Sequence, residues 1–140
     1  MRKKSADPAR EAWKLVMDLL HAQKARHQST VSELQLTPAQ SMLLFRVEPD
    51  HPIAMSDLAS QLFCDASNIT GLVDKLESRD LIERQASTED RRVKMIALTK
   101  AGAMLRAKLF ERFYEPPPAI TALSEADKKA LRDILRKATQ

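Results

Sequence analysis

A chain of 140 residues, 44% of them hydrophobic and 30% charged, can bury one real core, which argues against disorder and fits one domain. Only two glycines occur, which excludes a turn-dense all-β fold, and the abundance of Leu, Ala, Lys, Glu and Arg favours helix. The net charge of +4 is compatible with a nucleic-acid partner without requiring one.

The charge is unevenly placed. Between Asp65 and Arg92 the acids (Asp65, Asp74, Glu77, Asp80, Glu83, Glu89, Asp90) outnumber the bases (Lys75, Arg79, Arg84, Arg91, Arg92). Bulk basicity therefore makes no case for DNA binding, and architecture has to carry it. No apolar run approaches the roughly 18–20 residues of a membrane span, and MRKKSADPAR lacks the apolar core of a signal peptide. The single cysteine, Cys64, makes no internal disulfide. These features lead us to expect a cytoplasmic protein with no membrane partner.

Residues 1–8 read as a polar, basic arm. From Pro8 to Gln28, Ala12, Leu15, Val16, Leu19 and Leu20 recur with helical period. Trp13 and Met17 widen the stripe, and such an apolar first helix suits docking on a partner subunit. Thr37-Pro38-Ala39-Gln40 predicts a capping box with proline at the first helical position. The helix it opens carries Met42, Leu43, Leu44, Phe45 and Val47, apolar on most sides, and Pro49 and Pro52 end it in a loop.

The stretch from Ser56 to Leu98 organises the rest. Ser56 is expected to cap a short helix, SDLASQLF, with Leu58, Ala59, Leu62 and Phe63 facing inward. Cys64 falls in the turn, where it reads as a small buried hydrophobe rather than a redox sensor. Asp65 or Ser67 caps the next helix, in which Ile69, Leu72, Val73 and Leu76 form the buried stripe. That helix ends near Arg79-Asp80, with a left-handed cap residue expected there. LIERQA and VKMIAL alternate as strands around the polar tip STEDRR. Two short helices with so brief a turn match a helix-turn-helix, and the ribbon beside it is a wing. Thr99 then caps a helix with Leu105, Leu109, Phe110 and Phe113 on its apolar side. Pro116-Pro117-Pro118 stops it, and Ser124 caps a last helix with Leu131, Ile134, Leu135 and Ala138 in one stripe.

A helix-turn-helix sets its second helix in a DNA major groove, where first-turn side chains meet base edges. Ser67, Asn68 and Thr70 occupy those turns, although Ser67 also reads as a cap and Asn68 as a solvated side chain. Gly71 in mid-helix costs about 1 kcal/mol against Ala, which close approach to a phosphate or another helix would explain. Lys75 and Arg79 are candidate phosphate contacts. His21, His27 and His51 have no metal-site spacing, and no catalytic triad, phosphate loop or cofactor motif is present. No metal, cofactor or enzymatic activity is expected.

The order of elements, with Leu58-Ala59, Ser67 through Leu76, Leu81-Ile82-Glu83-Arg84, Asp90-Arg91-Arg92 and Leu98-Thr99-Lys100-Ala101-Gly102, resembles the MarR family of winged helix-turn-helix transcriptional regulators. The fold expected is mainly α with a small β-ribbon. Residues 1–35 and 100–140 would form dimerisation helices of one 140-residue unit, around a DNA-binding lobe at 36–99. The resemblance implies a homodimer that represses transcription from a pseudo-palindromic double-stranded operator and is released by a small aromatic effector. It implies that Arg92 enters the minor groove, that Asp90 steadies it, and that Arg91 contacts the backbone. An effector pocket would lie between the dimer helices and the lobe, with Trp13, Met17, Met42, Phe45, Phe110 and Phe113 as lining. Asp80 stands where the family has glycine, and the triple proline is not a general family feature. The alternative reading is a winged-helix module that binds protein rather than DNA, which the local acidic excess would suit.

Overall fold

The computed structural model describes residues 7–140, so all but the last two residues of the expected N-terminal arm lie outside the described residues. Helix α1 (Pro8–Ala22) starts where the side chain of Asp7 accepts the Ala9 N–H at 3.1 Å and Pro8 fills the first position. The helical path outruns the expected end at Gln28. It breaks at Gln23, whose N–H bonds the nearer Leu20 carbonyl, and resumes as α2 (Lys24–Glu33). Gln35, at φ 57°, turns the chain into α3 (Pro38–Arg46). Its expected capping box is present, with Gln40 N–H on Thr37 Oγ1 at 3.2 Å and Thr37 N–H on Gln40 Oε1 at 3.0 Å. Leu43, Leu44 and Val47 are fully buried, whereas Met42 on the other side of the helix is half exposed.

Two expectations fail at the next helix. A short strand, β1 (Ile53–Ala54), precedes it, and α4 (Met55–Gln61) begins behind Ala54 with no side-chain cap, so Ser56 is not the cap. Phe63 does not face inward. Terminating α4 takes the backbone to φ 53° at that residue, which swings its side chain out until it is 98% exposed. Cys64 N–H then bonds the Ala59 carbonyl at 2.9 Å, closing the turn, and Cys64 itself is half-buried.

Helix α5 (Ala66–Ser78) is capped by Asp65, whose carboxylate accepts the Asn68 N–H at 2.8 Å. Asp80 adopts the expected left-handed conformation, at φ 58°, and the chain turns there into the wing. Strands β2 (Ile82–Ala86) and β3 (Lys94–Leu98) pair antiparallel, with Arg84 opposite Ile96. The ribbon is three-stranded rather than two-stranded, in the order β1-β3-β2, because Ile53 pairs with Ile96 on the far edge of β3. Thr99 caps α6 (Lys100–Tyr114), accepting the Gly102 N–H at 3.0 Å. The prolines end it and lead through one short turn, α7 (Pro118–Thr121), to α8 (Glu125–Ala138), capped by Ser124.

One core holds these parts. Leu43, Leu44, Val47, Leu58, Val73, Leu76, Ile96 and Leu109 are 0% exposed, drawing together α3, α4, α5, the sheet and α6. Each such leucine contributes on the order of 1.5–3 kcal/mol. Helices α1 and α8 stand apart, with no buried residue in either. Trp13 is 65%, Leu15 61%, Leu20 55% and Ile134 62% exposed. No described helix is long and apolar enough to cross a membrane.

Candidate nucleic-acid interface

The core fixes which face α5 turns outward. With Ile69, Val73 and Leu76 buried, the 3.6-residue period puts Ser67, Gly71 and Asp74 on the opposite side. Asn68 and Lys75 fall on one flank, Thr70 and Glu77 on the other. The Ser67 hydroxyl donates to the Asp65 carboxylate at 2.9 Å, and that of Thr70 donates to the Ala66 carbonyl at 2.8 Å. The Asn68 N–H first, and then the Ser67 hydroxyl, hold the Asp65 carboxyl below its ordinary range. Asn68 and Lys75 keep exposed side-chain ends with no hydrogen bond or ion pair among the described residues. Gly71 has a helical backbone, and nothing lies within 4 Å of the place a β-carbon would occupy.

The acidic excess of this stretch is largely engaged. Asp65 is a helix cap, while Asp74 and Glu77 both turn onto Arg84 of β2. Hydrogen bonding to Asp74, ahead of the charge of Glu77, raises the Arg84 guanidinium above its ordinary value. The Arg79 guanidinium donates one N–H to the Gln35 carbonyl at 2.6 Å, which ties the end of α5 to the end of α2. At the wing tip, Arg92 N–H donates to Asp90 Oδ1 at 3.0 Å and the guanidinium lies 3.7 Å from the same oxygen. The Arg92 side chain is 95% exposed, and Arg91 is exposed beside it. Lys75 on α5 and Arg91 and Arg92 at the wing tip are thus exposed bases.

The aromatic residues divide. Met17, Met42 and Phe113 line an open cleft of about 420 Å³ between α1, α2, α3 and α6, together with His21, Lys24 and His27. Trp13 lies outside it on α1. Phe45 and Phe110 also lie outside, packed edge to face at 4.6 Å between centroids, with the Arg106 guanidinium 4.3 Å above Phe110. His27 stacks on Phe113 at 4.3 Å, and burial followed by the charge of Arg26 pushes its imidazole below the ordinary 6.5. Sequence reasoning missed Arg84, Arg106 and the cleft's polar side, because each depends on residues brought together from distant parts of the chain. No cluster of three or more His, Cys, Asp or Glu able to hold a metal occurs among the described residues.

A sequence model described as the MarR family matches residues 36–94, from the start of α3 to the start of β3. The chain is 28% identical over 123 residues to the uncharacterised HTH-type transcriptional regulator YfiV of Bacillus subtilis, a match covering 87% of this chain and 77% of that protein. Its fold is similar to that of the YusO protein from Bacillus subtilis, with a TM-score of 0.75 and 25% identity over 98% of this chain and 99% of the other. A MepR mutant of S. aureus, solved bound to an oligodeoxyribonucleotide, has the same fold, with a TM-score of 0.70 at 24% identity, over 91% of this chain and 95% of that one. The stretch that matches the MarR family model is thus the stretch that folds as the helix-turn-helix and wing, and the chain is similar over most of its length to an HTH-type transcriptional regulator.

Proposed function

We propose that this chain is a cytoplasmic, DNA-binding repressor that acts as a homodimer on a pseudo-palindromic operator and is released by a small aromatic effector. One observation carries the reading. Asn68, Gly71 and Lys75 of α5 and Arg91 and Arg92 of the wing are all exposed, while Asp74 and Glu77 beside them on α5 are engaged by Arg84. Ser67, Asn68 and Thr70 would face base edges, at about 1–3 kcal/mol of discrimination for a good bidentate pair. Lys75 and Arg91 would meet phosphates, and Arg92, steadied by Asp90, would enter the minor groove. The MepR mutant supports the reading, since a chain of this fold was solved bound to an oligodeoxyribonucleotide.

Pairing follows from the helices outside the core. A chain with Leu20, Trp13 and Ile134 in water has a reason to join a second copy through α1, α6 and α8. Two recognition helices about 34 Å apart would then meet successive major grooves. An effector in the cleft beside Met17, Met42 and Phe113 can act only by favouring one spacing of those helices. The test is a fluorescence-anisotropy titration with fragments selected from the source genome, at several salt concentrations. Affinity should fall linearly with salt on a log–log plot. Absence of salt-dependent binding to any fragment would reject the DNA reading in favour of a protein partner.

A further inference from the structure

We propose that Arg84 is a positioning residue of this interface, fixing the wing against the recognition helix and holding Asp74 and Glu77 away from the DNA. The proposal rests on the DNA-binding reading above. The guanidinium of Arg84 donates to Glu77 Oε1 at 2.6 Å and pairs with Asp74, and the Arg84 backbone N–H donates to Glu77 Oε2 at 3.3 Å. One side chain thus grips two turns of α5 from the strand that leads to the tip bearing Arg92. The planar fork aims one nitrogen at each carboxylate, Nη1 at Glu77 and Nη2 at Asp74, a fixed division that the single ammonium of a lysine does not reproduce. The Arg84 side chain is 25% exposed, so salt screens this cluster less than it screens open surface pairs. Asp74 shares its face of α5 with Ser67 and Gly71, where a carboxylate left unpaired would confront phosphates.

Three variants test this: Arg84→Met, Arg84→Lys, and the double Asp74→Asn/Glu77→Gln, which removes the anchors and keeps the arginine. Hydrogen exchange read by mass spectrometry should show wing amides opening at least tenfold faster in Arg84→Met and in the double variant, with α3 and α6 unchanged. Arg84→Lys should fall between. In DNA binding, Arg84→Met should weaken affinity at least tenfold. The loss caused by Arg92→Ala should shrink at least threefold in the Arg84→Met background, because a loosened wing no longer delivers that side chain. Unchanged wing exchange in both Arg84→Met and the double variant overturns the proposal, whatever DNA does. Full additivity of the Arg84 and Arg92 losses also overturns it, leaving Arg84 a charge mask only. If the unmodified chain binds no DNA, the functional reading fails instead, and the exchange measurement alone decides whether Arg84 fixes the wing.

Discussion

A β-carbon built on Gly102 would lie 1.8 Å from the carbonyl oxygen of Leu81 and 2.8 Å from its carbonyl carbon. Helix α6 therefore crosses the entrance to the wing at a distance only glycine permits. Thr99 fastens the same junction, donating its hydroxyl to the Asp80 carbonyl at 2.6 Å and its N–H to the Leu81 carbonyl at 3.1 Å. The neighbour in the way is backbone and cannot rotate aside. Gly102→Ala should cost about 3 kcal/mol, read as a lower Tm by circular dichroism. An unchanged Tm would show that the crossing relaxes freely.

Gly71 is the opposite case. Nothing inside the chain approaches it and its φ is not positive, so neither sterics nor backbone conformation requires glycine there. Gly71→Ala should stabilise the free protein by up to about 1 kcal/mol while weakening operator binding several-fold. Calorimetry and anisotropy on the same preparation would see the two effects move in opposite directions. Equal or tighter DNA binding would remove close approach at Gly71 from the interface.

At the wing tip, Arg92→Ala should leave the unfolding free energy within about 0.5 kcal/mol of the parent, because an exposed pair contributes little to stability. The same change should lower operator affinity substantially and reduce the log–log salt slope by about one per wing. Asp90→Ala should do less, since it removes a support rather than a contact. A salt titration that superimposes on the parent's would take the wing out of the mechanism.

His27 predicts a pH dependence. Its folded-state affinity for protons lies below that of the unfolded chain, through burial and then Arg26. The unfolded state therefore binds more protons in that interval, so stability rises with pH there. The contribution is fully present above the ordinary 6.5 and is lost as pH falls through the lower folded value. Chemical denaturation between neutral and mildly acidic pH should show this loss, and His27→Gln should flatten it.

The pairing reading predicts that Leu20→Asp with Ile134→Asp yields a folded monomer. Both side chains are more than half exposed, so the lobe loses no core contact. Sedimentation velocity should show the species halve in mass with the lobe's helicity intact. A dimer that persists would place the interface elsewhere.

Local chemistry was the legible part of this fold. Thr37 with Gln40, Asp80, Thr99 and Ser124 each announce a cap or turn through side chains within a few residues, and each forms as expected. Ser56 misled because a two-residue strand, too short to show alternation, pairs with β3 and delivers the chain to α4 two residues early. Phe63 misled because apolar spacing carries no information on the sign of φ. The partners of Arg79 and Arg84 were illegible for another reason. Arg79 reaches a carbonyl 44 residues away, and nothing in the spacing of charges marks which arginine will do so. The aromatic set was too coarse a guide to the cleft, since Phe45 and Phe110 satisfy one another instead.

The ties on α5 gather at one end. Arg79 reaches Gln35, Arg84 grips Glu77 and Asp74, and Thr99 holds Asp80, all toward the C-terminal half. Near the N-terminus, Asp65, Ser67 and Thr70 bond only within their own turn. A rod of 13 residues is about 20 Å long at the α-helical rise, so a tilt of about 10° about its fastened end moves the other by about 3 Å. That is a hydrogen bond's length. On the proposed reading that far end faces the base edges, so it is the end of a pointer at which small rotations of the scaffold would arrive magnified.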